Sequence, residues 1–208
     1  MRNLPPRPAI PNDVQAKLQA KTREISAIAD LRNKTSRARV VFESARKADW
    51  FGPIVSALRG LCGPGELCMY CSSNEPSQIE HYRPSSVFPE SALEYENYVW
   101  SCDICNRKKL DRFPPDTEAG DFILNPLNDN VWDYFFLDEQ FGRLISRIEP
   151  ISKVPHSRAS STCSVVGIDR ENVQIKRLHR YNVYAKTFRL PLTISVLVNC
   201  RRATFTQS

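Results

Sequence analysis

The sequence predicts an α+β chain: a small core of two strands and a helix clamped by four cysteines, with helices before it and a mixed, largely helical extension after it. Three observations predict this. Two Cys-x-x-Cys pairs, Cys68/Cys71 and Cys102/Cys105, bracket 30 residues. Short β-like stretches around Ile79 and at Tyr98–Ser101 lie between them, and the second leads into a helix-forming run from Asp103 to about Arg112, ahead of the prolines at 114–115. On both sides of this segment, apolar residues recur at helical spacing.

The elements are expected in the following order. The Pro-rich first dozen residues form an extended arm. Asn12 and Asp13 offer a cap for a helix whose face carries Val14, Leu18, Ile25, Ile28 and Leu31. Further helices are expected from about Ser36 to Lys47 and from Ile54 to Cys62, the latter broken by Gly63-Pro64-Gly65. After the clamped core, Asp138–Arg143 reads as a hairpin turn between WDYFFL and LISRI. Ser160–Tyr184 reads as two helices with a break near Asp169. This divides the chain into an N-terminal arm and helices (1–61), the metal-clamped core (62–115) and a C-terminal extension (116–208) that packs on the core or binds a partner. The role of the apolar segment at 188–200 is left open.

Composition narrows the class. A quarter of the residues are charged and 41% are hydrophobic, as in a folded, water-soluble protein. The apolar run Leu190–Val198 is too short to span a bilayer and contains Pro191. The N-terminus has no apolar signal core, so a cytoplasmic protein with no membrane partner is expected. Seven cysteines, an odd number, argue for metal rather than a disulfide framework. The net charge of +6 is distributed as +7 over residues 1–60, −3 over 61–115 and +2 over 116–208. Such a distribution suits an acidic, metal-binding centre between basic surfaces that hold a polyanion, although +6 alone is equally an ordinary solubility charge. Lys17, Lys21, Arg23, Arg37, Arg39, Arg46 and Lys47 are placed to track phosphate, or else simply form solvated helix faces.

Four thiolates from two tight knuckles make a closed tetrahedral Zn²⁺ site. A closed site offers no position to substrate, so this zinc is structural. Cys62 lacks the knuckle spacing, and Cys163 and Cys200 read as ordinary thiols. Inside the clamp lies Gln78-Ile79-Glu80-His81-Tyr82-Arg83-Pro84. Period-2 alternation sends Ile79 into the core and Glu80 to the opposite face, with His81 at the strand end. A carboxylate beside an imidazole supplies a hard oxygen ligand and a base of near-neutral pKa. Asn106 lies one turn into the following helix, with Lys109 on a nearby face, and the fold is expected to bring Glu80, His81 and Asn106 together. Tyr98 and Trp100 are expected in the core.

The pattern CMYC…IEHYRP…ENYVWSCDICNRKK resembles the ββα-metal (HNH) endonucleases, over about residues 68–113. It is most similar to the small HNH proteins of retron and Septu anti-phage systems, whose tail the later FILNPLNDN…STCSVVGIDRENV stretch also resembles. The resemblance implies a phosphodiester hydrolase with His81, Asn97 and Asn106 at the three name positions, Asn106 standing where the name has His. It implies His81 as general base, Glu80 and Asn106 holding Mg²⁺ or Mn²⁺, and Asn97 bracing the loop that orients His81. Arg83, Arg107, Lys108 and Lys109 are candidates for phosphate contact. The implied partners are nucleic acid, with DNA as the first expectation, and a regulatory ATPase. A non-catalytic zinc-ribbon module that binds nucleic acid or protein, and a toxin-like RNA-cutting nuclease, are the competing expectations.

Overall fold

A computed structural model describes residues 3–75, 77–113, 115–116, 120–121 and 123–188. The 188–200 segment and Cys200 thus lie, apart from Phe188, outside the described residues.

The helices form where apolar residues recur on one face. Helix α1 (Asn12–Ser26) buries Val14, Leu18 and Ile25. Its N-cap is Pro11, with no side-chain cap, so Asn12 and Asp13 sit in the first turn rather than capping it. The helix stops short of the expected stripe. Asp30 starts a new helix, α2 (Leu31–Ala45), by accepting a hydrogen bond from the Asn33 backbone N–H at 2.8 Å. The break rotates Leu31 to solvent, where it is 63% exposed. Helix α2 instead buries Ala38, Val41, Phe42 and Ala45, a stripe at i, i+3, i+4 and i+7. Helix α3 (Gly52–Cys62) has Pro53 in its first turn, buries Ile54, Leu58 and Leu61, and ends at Gly63 with φ 74°.

Strand β1 (Ser77–His81) pairs antiparallel with β2 (Tyr98–Cys102), aligning Ile79 with Trp100 and His81 with Tyr98. Every residue of β2 is buried, including Tyr98 and Trp100. Helix α4 (Asp103–Lys109) follows directly and ends earlier than Arg112, at Leu110, whose φ of 46° breaks the helical path. Pro114 lies outside the described residues. The facing of β1 is the reverse of the hydropathy reading. Glu80 is 6% exposed, whereas Ile79 is only partly buried. A buried cation makes the difference, as described below.

The strands β3 (Pro115–Asp116) and β4 (Gly120–Asp121) form a second small sheet. A short helix α5 (Val131–Tyr134) leads into the hairpin of β5 (Phe135–Leu137) and β6 (Leu144–Ser146), turned at the expected residues. Gly142 at this turn has φ 70°, and a Cβ there would lie 2.3 Å from the Gln174 carbonyl oxygen. Only glycine lets the hairpin pack so closely on the last helix. Helices α6 (Ser157–Val166) and α7 (Glu171–Thr187) flank a break at Gly167–Arg170. Asp169 in that break accepts from the Leu144 N–H at 2.9 Å and pairs with Arg177 at 2.8 Å, joining hairpin to helix.

One cluster of buried side chains runs from Val14 through Tyr98 to Val173, so all three segments share a core. The N-terminal arm lies along it. Arg7 donates to the carbonyls of Glu96 and Tyr98 at 3.0 and 2.9 Å, stacked over the Tyr95 ring. Among the described residues no helix is long and apolar enough to cross a membrane.

Candidate active site and metal centre

The sulfur atoms of Cys68, Cys71, Cys102 and Cys105 come together at the base of the β1–β2 hairpin, all buried and within 4.8 Å of one another. Cys102 caps α4, its sulfur accepting from the Cys105 N–H. Cys62 is spent elsewhere, donating to the Leu58 carbonyl. Hydrogen bonding among the four thiols splits their pKa values, lowering those of Cys102 and Cys71 below the ordinary thiol value and raising those of Cys68 and Cys105. Four buried sulfurs at this spacing fit a tetrahedral Zn²⁺, whose charge favours the thiolate form of all four.

Arg170, at the N-cap of α7, was not legible as part of this centre. Its Nη1 lies 3.4 Å from Cys105 Sγ, and its Nη2 lies 3.5 Å from Cys71 Sγ. Burial lowers its pKa, but its hydrogen bond and charge interaction with Cys105 outweigh this and raise it overall. An arginine is an unfavourable residue at the positive end of a helix. That misfit is the one local sign that another group holds it. Lys176, paired with Glu75 at 2.9 Å, and Arg180, donating to the Ser72 carbonyl, extend the docking of α7 along the first knuckle.

Beyond the cysteines, β1 and α4 border a cavity of about 300 Å³ whose lining includes Glu80, His81 and Asn106. The His81 Nε2 lies 2.9 Å from the Ala92 carbonyl oxygen. A carbonyl only accepts, so Nε2 carries the proton and Nδ1 keeps its lone pair. The ring is packed against Phe42, with centroids 4.3 Å apart, and against Tyr98. Desolvation lowers the His81 pKa to about 4, so the imidazole is neutral at pH 7. The Asn106 amide is half-buried and makes no hydrogen bond among the described residues.

Asn97 is buried and fastens the loop after β1 at two places. Its Oδ1 accepts from the Arg83 N–H at 2.7 Å, and its Nδ2 donates to the carbonyls of Arg83 and Ser91 at 3.0 and 2.9 Å. Ser91 precedes Ala92, so this clasp positions the carbonyl that orients His81.

Glu80 and Lys109 depart from the sequence expectation. Lys109 is fully buried, its Nζ 2.5 Å from Glu80 Oε1 and 2.8 Å from the His81 carbonyl. The Tyr70 hydroxyl donates to Glu80 Oε2 at 3.2 Å. Burial raises the Glu80 pKa, against the opposing pull of Lys109. Lys109 is therefore a core cation and not a surface phosphate contact. Glu80 can bury its charge because Lys109 is there, an exchange that hydropathy cannot register. Of the other expected phosphate contacts, Arg107 pairs with Asp103 at 2.7 Å on the surface. The Lys108 stem lies where a side chain at Gly167 would be, and Arg83 stacks on Phe88.

Residues 68–112 match the model of the HNH endonuclease family. No curated protein matches the chain. The antiparallel β1–β2 pair, the helix α4 and the cysteine cluster fall within the matched residues, so an HNH domain forms the centre of this α+β chain. Such a domain indicates a metal-dependent nuclease acting on nucleic acid.

Proposed function

We propose that this protein is an HNH endonuclease that hydrolyses phosphodiester bonds of DNA. The observation that carries the reading is that His81 and Asn106 line one cavity, with the Nε2 of His81 anchored to the Ala92 carbonyl and its Nδ1 left as the base nitrogen. Nδ1 takes a proton from a water molecule, the water oxygen attacks phosphorus, and the P–O bond to the leaving sugar oxygen breaks. Asn97 acts through the loop, keeping the Ala92 carbonyl where it fixes the imidazole.

The donors fit a largely hydrated Mg²⁺ or Mn²⁺ rather than an all-protein cage. We assign Asn106 to that ion, with Glu80 joining only through lone pairs not used by Lys109 and Tyr70. When bound, the ion supplies positive charge that stabilises the phosphate and its leaving oxygen. The four cysteines and Zn²⁺ hold β1–β2 to α4 and take no part in the chemistry.

The likeness of this sequence to the small HNH proteins of retron and Septu systems supports a finer reading: a cytoplasmic anti-phage effector controlled by an ATPase partner. The test is a cleavage assay on plasmid, single-stranded DNA and RNA with Mg²⁺ or Mn²⁺, with and without an ATPase encoded beside it. Unaltered protein is expected to cut DNA, and His81→Ala to lose roughly 100-fold or more of the rate. Equal cutting by both proteins overturns the base assignment. Zinc-loaded protein that cuts nothing with any partner is instead a zinc-ribbon binding module.

A further inference from the structure

The cavity that holds His81 has a second wall, made by an element outside the HNH domain. Arg39 and Glu43 of α2, and Arg46 at its C-cap, line it together with residues of β1 and α4. They stand at i, i+4 and i+7, on one face of the helix. The other face is fixed: Phe42 is buried against the His81 ring, so α2 is held at the site. Residues 31–47 carry six Lys/Arg and one acid, a net charge of +5.

The cations of α2 and α4 differ in position. On α4, Lys109 is buried on Glu80, and Arg107 and Lys108, although exposed, do not line the cavity. On α2, Arg39 is exposed and has no partner among the described residues. Arg46 pairs with Glu43 at 3.1 Å, but both side chains are nearly half exposed. A pair so solvated is worth little and yields readily to a stronger acceptor such as phosphate. A neighbouring groove shares Arg39 and Glu43 with the cavity and extends to Ser36 and Lys47, giving a strand a path along the helix.

We propose that α2 is the substrate-gripping element of this nuclease: Arg39 and Arg46 bind backbone phosphates on either side of the bond presented to His81, Arg46 exchanging Glu43 for phosphate. Seven residues of helix separate the two arginines by about 10 Å, so they reach different phosphates. The proposal rests on the nuclease reading and adds to it that the HNH domain alone holds substrate poorly.

The test is binding by zinc-loaded, full-length protein carrying His81→Ala, so that nothing is cut. Labelled single-stranded DNA, duplex DNA and single-stranded RNA are titrated between about 50 and about 200 mM salt. Adding Arg39→Ala and Arg46→Ala is expected to weaken binding about tenfold or more and to reduce the slope of log K against log salt by about two, one per lost phosphate contact. Both residues are exposed, so thermal melting is expected to match the parent. No binding by the parent, or a slope unmoved by these changes but lowered by Arg107→Ala with Lys108→Ala, overturns the proposal. Failure of the nuclease reading would show separately, as equal cutting with and without His81.

Discussion

Arg170 sets its guanidinium against the cysteine cluster, 3.4 Å from Cys105 Sγ and 3.5 Å from Cys71 Sγ, although 65 residues separate it from Cys105. Four thiolates around Zn²⁺ carry a net double negative charge, and a buried site leaves little water to screen it. One arginine offsets part of that charge and ties helix α7 to the HNH domain in the same contact.

Arg170→Ala is therefore expected to loosen the zinc. Partners that orient metal ligands contribute about 10- to 100-fold in affinity. Zinc release to a chromogenic chelator should accelerate accordingly, with Arg170→Lys intermediate. A release rate equal to that of the unaltered protein would show the contact to be incidental.

Lys109→Met removes the only cation in contact with buried Glu80 among the described residues. Breaking a buried pair from one side costs about 3–5 kcal/mol, because the remaining charge is stranded. Urea unfolding should show a loss of that size, and Glu80→Gln added to Lys109→Met should restore part of it. A surface phosphate contact would instead lose binding without losing stability.

His81 gives stability a pH dependence. Its pKa is about 4 in the fold, against the ordinary value of 6.5 in the unfolded chain. Between these values the unfolded chain binds the extra proton, so stability rises with pH across the window and is lost as pH falls from about 6.5 to about 4. Full titration is worth about 3 kcal/mol. Denaturant unfolding of zinc-loaded, Mg²⁺-free protein should show this slope, and His81→Ala should flatten it.

Asn97→Ala strands three backbone groups, the Arg83 N–H and the carbonyls of Arg83 and Ser91. At about 1–3 kcal/mol for an unsatisfied buried group, with partial relaxation, a loss of roughly 3 kcal/mol is expected. Cutting should fall mainly in kcat, because the Ala92 carbonyl that orients His81 shifts while the phosphate-binding surface remains. A change confined to KM would argue that Asn97 touches substrate instead.

What could be read from the sequence is what is local in the chain. A Cys-x-x-Cys knuckle declares its chemistry within four residues, and the stripes of α2 and α3 declare their buried faces within three turns. The turn at Asp138–Arg143 and the break near Asp169 likewise carry their own signals. Hydropathy failed at Glu80, where a carboxylate is buried by a cation 29 residues away. It overran α1, because Asp30 restarts the helix and turns Leu31 outward.

By itself, then, the sequence determined the four-cysteine cluster, the type of each main element, and the presence of His81, Asn97 and Asn106 in one segment. Only the tertiary structure decided that Lys109 lies inside, that Arg170 reaches the cysteines and that Arg39 and Arg46 face the cavity of His81. The physical reason is common to all three. The energy of a buried charge or a cavity wall depends on what lies across it in space, and periodicity along the chain carries no record of that partner.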